Sequence, residues 1–137
     1  MAKIPALCSL VPNMMVHSVE TSVQFYQKTL GFEQVMTVPE SAPYDWAMLK
    51  QGEVTLMLQK VDSFSEEVPK FKDQEPSASL TLYMITDSVD TLYAHLQKTK
   101  VKILKEPHKT FYRMKEIAIE DPDGYTLVFA EACEDEN

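Results

Sequence analysis

LVPNMMVHSVETSVQFYQKTLGF, residues 10–32, recurs at a constant offset and without a gap as LTLYMITDSVDTLYAHLQKTKVK, residues 80–102. Leu10 aligns with Leu80, Met14 with Met84, Ser18-Val19 with Ser88-Val89, Glu20 with Asp90, Thr21 with Thr91, and Gln27-Lys28-Thr29 with Gln97-Lys98-Thr99. Matches that run in register through a strand-like half and a helix-like half mark two copies of one supersecondary unit. In the first copy residues 10–16 are apolar apart from Asn13 and read as a strand buried on both faces. Ser18 supplies an N-cap oxygen, Glu20 suits the positive end of the helix dipole, and Gly31 can close the helix in the left-handed conformation. Between them Val19, Val23, Tyr26 and Leu30 recur at helical spacing and define a buried stripe.

Short strands follow the first copy, at 33–38, 44–50 and 53–60, the last two flanking the tight-turn pair Gln51-Gly52. A turn at that pair sets Lys50 opposite Glu53, Leu49 opposite Val54, Met48 opposite Thr55, Ala47 opposite Leu56 and Trp46 opposite Met57. One face is then Ala47, Leu49, Val54, Leu56 and Leu58, suited to lie under the helix. The other carries Tyr44, Trp46, Met48, Thr55, Met57 and Gln59, a mixture that suits a pocket wall as well as a second core layer or a dimer contact.

The second unit repeats the plan. A strand at 80–86 leads into a helix capped by Ser88 and running to about Lys100. A strand at 101–105, the loop HKTFYRM, a strand near 115–120, the turn Asp121-Pro122-Asp123-Gly124 and a strand at 125–131 complete it. Alternation turns Ile117, Ile119, Leu127 and Phe129 toward the helix, and Tyr112, Met114, Glu116, Ala118, Thr126, Val128 and Ala130 away from it. The expected fold is α+β: two tandem βαβββ modules, about 10–60 and about 80–131, forming a curled mixed sheet that encloses a trough with helices outside. The polar, proline-containing stretch 61–79 joins them, and residues 1–9 are a loose arm or a segment that docks on a partner.

The chain of 137 residues suits one compact domain or two small modules sharing a core. A net charge of −8 argues against nucleic acid as a partner. No apolar run approaches a membrane span, and the start lacks a signal peptide's apolar core and cleavage site. Cys8 and Cys133 then read as free thiols in the cytoplasm, and the acidic end EACEDEN as a solvated tail.

Two motifs resemble the vicinal oxygen chelate superfamily of glyoxalase I, extradiol dioxygenases and bleomycin resistance proteins. The first is Ser18-x-x-x-Ser22-x-x-Phe25-Tyr26-x-x-x-Leu30-Gly31-Phe32. The second is Met114-Lys115-Glu116-Ile117 with Asp121-Pro122-Asp123-Gly124 and Phe129-Ala130-Glu131. The resemblance covers roughly residues 10–131, and its second motif is most similar to the bleomycin-resistance branch, whose members bind a drug in a dimeric cleft without reacting with it. Enzymes of the superfamily hold a divalent metal on the first and last strands of each module, positions that map here to Val11, Thr81, Met57 and Val128. Valine cannot ligate, a threonine hydroxyl ligates weakly, and a thioether suits Cu(I). The resemblance thus implies a metal-free, cofactor-free homodimer that binds a small, flat or aromatic, cationic molecule.

The expected lining is Asn13, Met15, Trp46, Met48, Met57, Tyr83, Tyr112 and Glu116, with Asn13 and Tyr83 at equivalent repeat positions. Glu116 is aimed into the trough as a counter-charge, a base, or a partner for Arg113. His17 and His95 read as surface residues, and His108 as a loop residue at the trough mouth. Two other readings stay open. One is a lyase, isomerase or dioxygenase that draws metal ligands from Glu116, His108 or a partner chain. The other is an interaction module whose pocket has filled.

Overall fold

In a computed structural model that describes residues 4–76 and 79–134, the first half of the chain runs β1 (Asn13–Val16), α1 (Val19–Leu30), β2 (Glu33–Val38), β3 (Trp46–Gln51) and β4 (Val54–Lys60). A connection follows with α2 (Val61–Glu67) and a 3-10 turn (Pro69–Phe71). The second half is β5 (Thr81–Ile85), α3 (Val89–Leu96), β6 (Lys102–Lys109), β7 (Met114–Glu120) and β8 (Thr126–Ala132). Both serine caps form: Ser18 Oγ accepts from Thr21 N at 3.2 Å and Ser88 Oγ from Thr91 N at 3.1 Å. Gly31 ends α1 at φ 73°, where its N–H reaches Gln27 O at 3.0 Å. A side chain would be strained in that left-handed backbone.

Each half folds into a four-stranded mixed sheet, ordered β1-β4-β3-β2 and β5-β8-β7-β6. The outer pairs β1–β4 and β5–β8 are parallel and the remaining pairs antiparallel. This is the pattern two tandem βαβββ modules produce, and among the described residues no ladder of hydrogen bonds joins one sheet to the other. The side chains that alternation turned toward the helices are buried: Ala47, Leu49, Leu56 and Leu58 in one sheet, Ile117, Ile119, Leu127 and Phe129 in the other. They belong to one apolar cluster that continues through Val19, Val23 and Tyr26 of α1 and Val89 and Leu96 of α3. Each such aliphatic side chain contributes roughly 1.5–3 kcal/mol by leaving water.

Polar contacts clamp the halves together around the turn after β7. Tyr26 donates its phenol to Asp121 Oδ2 at 2.7 Å, and Asp121 Oδ1 accepts the N–H groups of Asp123 and Tyr125, each at 2.9 Å. Asp123 takes His17 N at 3.0 Å and the Ser22 hydroxyl at 3.3 Å. Tyr125 donates to Met15 O at 2.8 Å, and His95 Nε2 lies 2.9 Å from Thr29 O, so His95 bridges the halves although it is exposed.

Several sequence-based expectations need correction. The first strand starts at Asn13, not residue 10, and Leu10 is 87% exposed. Pro12 has no N–H for a ladder and joins the sheet only by accepting from Met57 N at 2.9 Å. The β3–β4 hairpin pairs Gln51 with Val54, Leu49 with Leu56, Met48 with Met57 and Trp46 with Gln59, two residues away from the expected register. Gly52, at φ 58°, takes the first central position of a Gly52-Glu53 turn, where a positive φ is required. Because strands alternate with period two, the slip leaves every side chain on its expected face. The second helix ends at Leu96 rather than near Lys100, and the strand expected at 101–105 extends to Lys109, so His108 lies in a strand, not a loop. The polar connection carries α2 and the 3-10 turn. The ends of the expected arm and acidic tail, residues 1–3 and 135–137, and residues 77–78 of the connection lie outside the described residues.

Candidate functional site

The parallel pairs place Asn13 opposite Met57 and Tyr83 opposite Val128, so Asn13 and Tyr83 are equivalent in the two sheets. They do not meet. Asn13 Nδ2 donates to Gln59 Oε1 at 2.8 Å, and Gln59 Nε2 donates to the Ser63 hydroxyl of α2 at 2.8 Å. The second carboxamide atom of Asn13, Oδ1, is buried with no hydrogen-bond partner among the described residues. An acceptor left that way costs about 1–3 kcal/mol of desolvation until something donates to it. Met15 is buried beside it, while Trp46, Met48 and Met57 are half-buried on the same sheet, Met48 directly opposite Met57.

A cavity of about 360 Å³ opens against this end of β1. Its walls are Asn13 and Met15, Phe64 and Phe71 from the connection, and Leu80 and Leu82 at the start of β5, with Gln74 and Glu75 at its border. Phe64 and Phe71 meet edge to face with centroids 5.1 Å apart, and Lys70 Nζ lies 5.2 Å from the Phe71 ring centre. The lining is apolar with few polar groups, and the volume falls in the range of small-molecule pockets. Phe64 and Phe71 are wall residues that sequence reasoning overlooked. The spacing of Val61, Phe64 and Val68 carried the signal, since it is the i, i+3, i+7 of a helix face.

The open face of the other sheet holds the remaining expected residues. Glu116 is 7% exposed and accepts two phenols on one oxygen, Tyr83 at 2.6 Å and Tyr112 at 2.8 Å. Tyr83 and Tyr112 take the place at Glu116 that the sequence suggests for Arg113. Donating to Glu116 pushes the Tyr83 phenol up to about 12 and raises that of Tyr112 for the same reason. His108 stands opposite Glu116 across the β6–β7 pair. Both line a depression of about 400 Å³ with Phe111, Tyr112, Val128 and the lysines Lys105 and Lys109. The depression and the β1 cavity have no residue in common. Trp46, Met48 and Met57 line neither. The expected lining therefore divides in one chain into a β1 group, a β3–β4 group and a Glu116 group.

The positions that the resemblance assigns to a metal lie on the same strands or just before them. Met57 and Val128 sit across parallel pairs from Asn13 and Tyr83, Thr81 sits opposite Thr126, and Val11 precedes β1. Two valines, one thioether and one hydroxyl do not make a donor set for a catalytic divalent ion. Among the described residues no three His, Cys, Asp or Glu side chains cluster to hold a metal.

Comparison with known proteins places this geometry in context. The family model of the Glyoxalase/Bleomycin resistance protein/Dioxygenase superfamily matches residues 10–129. No curated protein matches the chain in sequence. Among solved structures, a glyoxalase/bleomycin resistance protein/dioxygenase from Nocardioides superposes with a TM-score of 0.79 at 20% identity, covering 98% of this chain and 89% of that one. TioX from Micromonospora sp. ML1 gives 0.73 at 14% identity, covering 91% and 98%. A glyoxalase/bleomycin resistance protein/dioxygenase family enzyme from Burkholderia phytofirmans PsJN gives 0.73 at 16% identity, covering 89% and 96%. At these identities the likeness is one of fold.

Proposed function

Since the chain belongs to the glyoxalase/bleomycin resistance protein/dioxygenase superfamily, we propose that it is a metal-free protein that binds a small, flat, cationic molecule, working as a cytoplasmic homodimer. One observation supports this reading: the positions that the resemblance assigns to the superfamily's metal are Val11, Met57, Thr81 and Val128, while the open sheet faces hold aromatic and methionine side chains and the buried carboxylate of Glu116. Such faces supply apolar area and a counter-charge but no Lewis acid. The acidic chain as a whole attracts cations over anions. The exposed apolar side chains Ile4, Leu7 and Leu10 of the arm, with Tyr83 and Ile85 of the second sheet and Phe111 of the β6–β7 turn, are the surface a second copy would cover. No helix among the described residues is long and apolar enough to cross a membrane.

The test has two arms. Purified protein is assayed for bound metals, and a panel of cationic aromatic compounds is titrated while Trp46 fluorescence and the melting temperature are followed. The reading expects metal far below one equivalent per chain, with quenching and a raised melting temperature for at least one compound class. One equivalent of Fe, Mn, Ni or Zn per chain would sink it, as would a panel that moves neither signal.

A further inference from the structure

We propose that the ligand seat is the cavity beneath the connection between the two sheets, that it takes a compact aromatic or alicyclic molecule bearing one N–H or O–H donor, and that Asn13 Oδ1 selects that donor. The inference deepens the binding reading and rests on it. The cavity, at about 360 Å³, has room for a two-ring body. Its lining is largely apolar and includes Phe64, Phe71, Met15 and Leu82. The phenol of Tyr125 is already spent on Met15 O.

Asn13 is different. Its Nδ2 donates to Gln59 Oε1 and Gln59 Nε2 donates in turn to Ser63 on α2, which leaves Oδ1 as the carboxamide oxygen without a partner. That atom is the buried acceptor without a partner among the described residues. Buried polar atoms are nearly always satisfied, and one that is not, on the wall of a cavity, points to a missing donor. Glu75 borders the cavity, 3.4 Å from His17 Nε2, and places a carboxylate where a charged donor would enter. The favoured donor is therefore an amine carried as its cation.

The experiment titrates 2-naphthol, its donor-blocked counterpart 2-methoxynaphthalene, and 2-naphthylmethylamine into the intact chain by calorimetry. The expected order is amine and naphthol above the methoxy compound, the last weaker by about tenfold, as one net hydrogen bond dictates. Asn13→Leu should erase that difference while sparing the methoxy compound. Leu80→Trp, at a position 54% exposed and so harmless to the core, should fill the cavity and abolish binding of all three. Lys28→Ala, on the exposed face of α1 and outside both cavities, should leave all three unchanged. Equal affinities for the naphthol and its methyl ether in the unmodified chain overturn the proposal, as does a difference that survives Asn13→Leu. If Leu80→Trp is silent and Glu116→Gln weakens binding, the ligand lies on the second sheet's open face; this inference falls and the binding reading stands. If the cationic panel binds but none of the naphthalenes does, the inference falls in the same way and the binding reading again stands. If neither set binds, both fall.

Discussion

At the turn after β7 a buried carboxylate, Asp121, holds the two halves of the chain in place, and burial makes it reluctant to ionise. Its carboxyl is raised above the ordinary value because desolvation outweighs the hydrogen bonds from Tyr26, Tyr125 and Asp123, which pull the other way. A group raised in the folded state binds its proton more tightly there than in the unfolded chain. The stability it contributes is fully present below the unfolded value of 3.8 and is lost as pH rises through the folded value. Asp121→Asn cannot ionise, so its deficit against the unmodified protein should be largest in acid and should shrink toward neutral pH. Denaturant unfolding of both proteins across that range measures it. A deficit that grows with pH would mean that the hydrogen bonds prevail over burial.

At the scale of an element, α1 is specified almost completely by its own residues. Ser18 caps it, Gly31 stops it, and Val19, Val23, Tyr26 and Leu30 bury its inner face. Ser18→Ala should cost about 1 kcal/mol through the lost cap. Gly31→Ala should also cost about 1–2 kcal/mol, all of it backbone strain, because nothing lies within 4 Å of the added Cβ. The double variant should lose the sum, since the sites lie at opposite ends of the helix. Urea melts of the three proteins decide this, and a Gly31→Ala protein as stable as its parent would refute the strain. The connection behaves differently. The 61–67 segment has no side-chain cap at its start and no buried residue, so its helix owes its place to the sheet and to Phe71 beneath Phe64.

For the whole molecule, the shared core predicts cooperativity. Ile119 of the second sheet and Leu49 of the first belong to one apolar cluster, joined through α1 and the Asp121 turn. Ile119→Ala should cost about 2–5 kcal/mol. It should also move the unfolding transition seen by Trp46, in the other half, by as much as that seen by far-ultraviolet circular dichroism. Two separated transitions would show that the halves fold independently. The same architecture explains why Asn13 and Glu116, both aimed away from the helices, serve different cavities: each sheet presents its own open face, and the connection covers the β1 end of the first and the start of β5 but not the Glu116 depression.

What the sequence determined by itself was local or periodic. The two capped helices, the alternation that buried Leu49, Leu56, Ile117 and Leu127, and the repeat that made Asn13 and Tyr83 equivalent all depend on residues close together in the chain or on a period of two. That is why the faces survived a two-residue error in the β3–β4 register. The residue types at Val11, Met57, Thr81 and Val128 were equally legible, because side-chain chemistry needs no coordinates. Only the tertiary structure decided which of these residues meet. It gave Asn13 to Gln59 and Ser63, gave Glu116 to Tyr83 and Tyr112, and roofed one cavity with Phe64 and Phe71. Those contacts join positions up to dozens of residues apart. They are fixed by how two sheets and a helical connection pack around a common core, and no local pattern encodes that.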